Sequence, residues 1–239
     1  MTKITPLNNA EHSGISIIES NDFSRFSNEH LIPVLAQDFL PLATEFPIVF
    51  VKNTETGRFT PVAMMGLKIG VNLYCQDSSW HSNVTPLGFS NAPLSLMKTS
   101  EQSDEVMVCI DLNSHLVVKE GGHRLFIDSK EQSEYLKKRT QALLDIDSFN
   151  QQTANICQFL SSLKLLEPKQ LSLKLLNNKT VMNIDGIYVI DKERLNDLSD
   201  EDFLSLKNRG ILPLIYAHQL SLQQFSRLIK KQNQYDLSH

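Results

Sequence analysis

One tryptophan, three cysteines and nine glycines are all that 239 residues contain of these types, and each scarcity excludes something. Cys75, Cys109 and Cys157 are odd in number and widely spaced, which provides neither a disulfide framework nor a paired-cysteine zinc site. Cys109 and Cys157 fall in apolar surroundings and read as small buried hydrophobes. The glycines never gather into GxGxxG or a P-loop, and HExxH and CxxC are also missing, so the motifs with defined catalytic mechanics are absent. No cation excess exists: 23 basic against 27 acidic residues give a net charge of −4. The only compact basic runs, residues 137–139 and Lys230-Lys231, point in different directions around a helix and read as a solvated face, so nucleic acid is not an expected partner. Long apolar runs are missing too. The densest late run, residues 211–217, is far short of the roughly 18–20 residues of a membrane span and contains Pro213. The first ten residues lack the apolar core of about 7–15 residues that a secretory signal needs, so a cytoplasmic location is the expectation.

What is present is sufficient for a core. Apolar residues make up 41% and charged residues 21%, which suits one large domain or two small ones. Residues 1–28 are polar and read as an arm with at most one strand near Ile15 to Ile18. Residues 31–35, with Pro33, suit an edge strand, and residues 36–46 carry apolar side chains on one helical face that Pro41 keeps short. Residues 47–52 and 59–68 flank a polar turn and predict a hairpin, with a third strand at 71–75. Residues 76–105, rich in Ser, Asn and Pro, read as a long loop. The dense apolar run within residues 105–112 predicts a central strand. From Gln132 the period changes: Leu136, Leu143, Ile146, Phe149, Thr153, Ile156, Leu160 and Leu163 form a helical stripe with no Gly or Pro between 132 and 167. A helix of about 30 residues, roughly 45 Å long, follows.

The last third has the clearest punctuation. Residues 170–176 and 180–185 flank Asn177-Asn178-Lys179, an Asn-rich turn, and residues 186–190 form a third apolar run, which together predict a small meander. Ser199 reads as a helix N-cap followed by acids, Gly210 as that helix's stop, and Pro213 as the opening of another helix ending near Ile229. The order of these pieces over 163–228 closely resembles the C-terminal half of the bacterial SapC family, named for a gene associated with surface-layer proteins. "EFPIVFV" (45–51), "FTPVAMMGL" (59–67), "NLY" (72–74) and "VCIDLNS" (108–114) resemble further blocks of that family, so the resemblance spans residues 30 to 229. It departs at 84–94, where Val84-Thr85-Pro86 and Ser90-Asn91-Ala92-Pro93-Leu94 replace a Tyr-x-Pro and an Arg-rich Tyr-Pro-Phe segment. It departs again at Gly121-Gly122-His123, where relatives carry acids. The same name is attached to a peptide-transporter permease, which hydropathy excludes here.

The expected fold is α+β, mainly antiparallel sheet with one long helix and two C-terminal helices. The expected organisation is an arm (1–28), one domain (29–229, with sub-regions 29–130 and 131–229) and a polar tail (230–239). Asp111, His115 and His123, with Asp128 and the paired glycines 121–122, gather acids, bases and donors in one stretch able to bind a small anion or a metal. Trp80 offers a broad apolar face with a donor for stacking. Tyr216 and His218 lie in the family-like "LIYAH"; His218 is four residues from Leu214 and from Leu222 and therefore shares their face, as a buried imidazole with one bonded nitrogen. No cofactor is identified and no metal-ligand set is assigned. The resemblance implies a soluble accessory or binding protein linked to envelope or surface-layer biogenesis. The alternatives are an enzyme acting on a sugar, peptide or nucleotide conjugate, and an obligate partner subunit or homodimer joined through the 132–163 helix.

Overall fold

The computed structural model describes residues 3–100, 105–127, 131–175 and 181–238. In chain order the strands are β1 (Ile4–Pro6), β2 (Ser16–Ile17), β3 (Leu31–Pro33), β4 (Ile48–Lys52), β5 (Phe59–Met64), β6 (Cys75–Gln76), β7 (Ser79–Trp80) and β8 (Leu94–Lys98). They continue as β9 (Val106–Asp111), β10 (Val117–Val118), β11 (His123–Arg124), β12 (Phe126–Ile127), β13 (Glu131–Gln132), β14 (Leu166–Lys174) and β15 (Val181–Ile190). The helices are α1 (Asn9–His12), α2 (Phe39–Leu42), α3 (Glu134–Ser162), α4 (Lys192–Asn196), α5 (Asp200–Asn208), α6 (Leu212–Ser221) and α7 (Phe225–Ser238). All strand pairs are antiparallel, and with the long helix they make the α+β class expected.

Two compact units form, and both are discontinuous in sequence. The first joins residues 1–21 to 88–148, and the second joins 22–87 to 149–239. In the first unit β9 is central, flanked by β1 and β8, and β2 is central between β10 and β11. The polar start of the chain is therefore more than an arm with one strand. Its backbone N–H and C=O groups pair with β9 from Ile4 opposite Asp111 to Pro6 opposite Cys109, and a central strand needs partners on both edges whatever the polarity of the side chains that come with them. Ile17, Leu94, Ile110, Leu125, Phe126, Leu136 and Leu143 close the core of this unit. The region read as a long loop contributes β6, β7 and β8; only short stretches of it alternate, which hides such strands from periodicity. The third strand expected at 71–75 shrinks to Cys75 and Gln76, paired with β7.

The second unit is built on a five-stranded sheet in the order β14-β15-β4-β5-β3. The hairpin of β4 and β5 is in place, and Pro33 lies in β3, at the edge. The expected meander is a single long hairpin instead. Asp185 and Gly186 stand opposite Gln170 alone, so the ladder bulges and resumes. Gly186 takes φ +77° there, a conformation that Gly adopts without strain. The Asn177-Asn178-Lys179 turn lies outside the described residues. Ser199 caps α5 by accepting from the Asp202 N–H at 3.1 Å, Gly210 follows α5 at φ +70°, and Pro213 sits in the first turn of α6. The helix begun by Pro213 does not run on to 229. A 3-10 turn at residues 222–224 separates α6 from α7, and α7 extends to Ser238, through what reads as a polar tail. Leu228, Gln232 and Asn233 are buried on one face of α7, which holds a polar sequence in a helix by packing rather than by its own propensity.

Helix α3 belongs to the first unit up to Ser148 and to the second from Phe149. Each of the eight predicted stripe positions, seven within α3 and Leu163 just past its end, is buried or half-buried.

Candidate functional site

His218 comes from the middle of α6 and is fully buried. Its Nε2 accepts the Ile190 N–H at 3.0 Å, and its ring lies 5.3 Å from that of Phe50. Because Nε2 is an acceptor, the neutral ring carries its proton on Nδ1, which is buried without a hydrogen-bond partner. Burial drives its pKa down to about 4; the Ile48 carbonyl opposes the shift and Lys192 adds to it. At neutral pH the ring is therefore an uncharged fastener between α6 and β15. A small apolar-walled cavity of about 10 Å³ lies against His218, Phe50, Cys157 and Leu160. That is room for roughly one water molecule, far below the 300 Å³ or more of a small-molecule pocket. Burial also pushes the Cys157 thiol there up to about 12, where no nucleophilic thiolate forms at neutral pH. Tyr216, two residues before His218, turns the other way and is 52% exposed.

Asp111, His115 and His123 all lie in the first unit. Asp111 Oδ1 accepts the backbone N–H of Lys3 at 2.8 Å and of Asn113 at 3.1 Å, so it fastens the chain start and turns the end of β9. His115 is exposed. His123 stacks on Tyr135 with ring centres 4.5 Å apart, and its Nε2 is 3.7 Å from Glu19. Asp128 is outside the described residues. Trp80 lies in the second unit, donating from Nε1 to the Val84 carbonyl at 2.9 Å and packing at 5.8–6.3 Å from the rings of Phe23, Phe46 and Tyr74. Among the described residues no three His, Cys, Asp or Glu side chains gather as a metal site would require.

The same aromatic cluster leads to a charged constellation that spacing alone did not single out. Glu45 follows α2, and its half-hidden carboxylate, 12% exposed, accepts Ser82 Oγ at 2.7 Å and Asn83 Nδ2 at 2.9 Å. Arg227 Nη1 stands 3.4 Å from it. Burial pulls the Glu45 pKa upward, but these hydrogen bonds and Arg227 outweigh it and hold the carboxyl below the usual range. The Glu45 main-chain carbonyl accepts the Tyr74 hydroxyl at 3.1 Å, and Lys231 Nζ sits 4.4 Å from the centre of the Tyr74 ring. Burial and the neighbouring Arg227 lower the Lys231 pKa, with Glu45 pulling the other way. In sequence Lys231 looks like one more solvated cation, and only the docking of α7 onto residues 72–75 gives it this environment.

A family model described as SapC matches residues 7–228, nearly the whole chain. The chain belongs to the SapC family. No curated protein and no solved structure matches it, so the chemistry of this SapC protein is argued from its own geometry. The match starts within the polar N-terminal stretch, ahead of β2, and includes Glu45, Tyr74 and Arg227 while ending before Lys231.

Proposed function

We propose that this SapC protein is a non-catalytic binding protein that assists envelope or surface-layer biogenesis from the cytoplasm. The observation that carries the reading is the use made of its best chemical groups. His218 Nε2 and Asp111 Oδ1 both accept backbone N–H groups, and Trp80 Nε1 donates to a backbone carbonyl. Side chains spent on holding the chain are not poised for proton transfer. The link to the envelope comes from family membership alone, and three free, buried cysteines suit a reducing compartment.

Native mass spectrometry of the protein, purified gently from its own cells, tests the binding role. Retention of a second polypeptide or of an envelope precursor is the expected outcome. Recovery of a bare chain that instead turns over a sugar, peptide or nucleotide conjugate would overturn it. Protease treatment of intact cells tests the location: the chain should survive until the cells are lysed, and cleavage before lysis would refute a cytoplasmic helper.

A further inference from the structure

The constellation at Glu45 has more positive charge than its own carboxylate neutralises. Arg227 and Lys231 are four apart on α7, one turn from each other on the same side, an arrangement that disfavours two like charges. Both lie within the electrostatic reach of Glu45. That carboxylate is already occupied, with Ser82 Oγ on one oxygen and Asn83 Nδ2 on the other. Arg227 gives it one long contact, from Nη1 at 3.4 Å, and remains 44% exposed, so among the described residues the rest of its planar fork of donors is turned to solvent, where it can grip another group. Lys231 is half-buried, and its one close partner among the described residues is the face of Tyr74, which attracts a cation but does not neutralise it. Two cations facing one carboxylate leave a net charge of about +1 where Arg227 is exposed and Lys231 half-buried, above a Tyr74 ring that is itself fully buried. The acid on this helix, Asp236, is engaged by Lys68 at 2.6 Å and by Gln232 at 2.8 Å.

We infer that Lys231 and Arg227 form a binding site for an anionic group, a carboxylate or a phosphate, presented to them at the surface of α7. An anion at this position accepts from the Lys231 ammonium and the unused Arg227 N–H groups, and relieves the repulsion between them. Glu45 stays as the brace that aims Arg227, and its own charge favours a ligand of one or two negative charges over a polyanion. The inference goes beyond the accessory role proposed above and stands whether or not the link to the envelope holds.

The test uses the full chain, with inorganic phosphate and acetate as separate probes at neutral pH and low salt. Trace acetylation read lysine by lysine by peptide mass spectrometry reports occupancy. Saturable protection of Lys231, with Lys68 and Lys137 unaffected, is expected from at least one probe. Protection by phosphate alone identifies a phosphoryl group as the ligand's anion, and protection by acetate alone a carboxylate. Lys231→Met keeps the apolar stem over Tyr74 and should weaken binding of the protecting anion by about tenfold, followed by calorimetry, or by 31P line width for phosphate. Lys231→Arg retains the charge and should retain binding, which separates loss of a contact from loss of the fold. No protection by either anion, or equal binding by wild type and Lys231→Met, would overturn the inference.

Discussion

At the scale of single residues, the buried polar groups set how the protein responds to pH and to the loss of space. His218 is neutral in the folded protein down to about pH 4, whereas in the unfolded chain it takes up a proton near 6.5. Between those values the unfolded state binds one more proton than the folded state, so the stability contributed by the neutral ring is fully present above pH 6.5 and is lost as pH falls toward 4. The loss reaches about 3 kcal/mol at the acidic end of that window. Urea unfolding at pH 7 and pH 4.5 should therefore show a steeper acid loss in wild type than in His218→Gln, whose amide can still accept the Ile190 N–H; identical slopes would contradict the assignment. Gly66 makes a second, independent case. A Cβ there would meet the Val71 carbonyl oxygen at 1.9 Å, a backbone atom with nowhere to retreat, whereas one at Gly14 would meet nothing within 4 Å. Gly66→Ala should cost about 3–5 kcal/mol and Gly14→Ala well under about 1 kcal/mol, measured as shifts in the denaturant midpoint.

At the scale of elements, local signals were legible where one rule acted alone. The Ser199 cap, the Gly210 stop and Pro213 fixed α5 and the start of α6, and removing the cap hydroxyl by Ser199→Ala should cost about 1 kcal/mol of stability without altering the cooperativity of unfolding. The stripe of α3 and the hairpin of β4 and β5 were equally readable, because each carries its period over many residues. Illegible elements were those made by a distant partner. The two-residue strands β6 and β7 are too short to carry a period, β1 exists because β9 has a free edge, and the last turns of α7 exist because Gln232 and Asn233 dock inward. In the sequence Gly186 reads as a strand boundary, since a break and a bulge look alike until the opposing strand is known. The candidate sites divide in the same way. The face on which His218 lies followed from its helical spacing, whereas Glu45, Arg227 and Lys231, up to 186 positions apart in sequence, come together only through tertiary docking.

At the scale of the whole molecule, the two units are interleaved along the chain, and this determines what can be removed. Deleting residues 1–21 takes away β1, an edge of the β9 sheet, and β2, the centre of another. Amide hydrogen exchange should then show lost protection through Val106–Asp111 and at Val117–Val118, while Ile48–Lys52 and Phe59–Met64, in the other unit, keep theirs. Unchanged protection in β9 would mean that the N-terminal stretch contributes nothing to that sheet. The same pairing matters during synthesis. Pro6 is matched with Cys109, about a hundred residues later, and at roughly 5–20 residues per second a ribosome needs about 5–20 s to deliver that partner. For that interval residues 4–6 of every nascent chain are committed to a sheet that does not yet exist, available to whatever chaperone, protease or other unpaired strand they meet first.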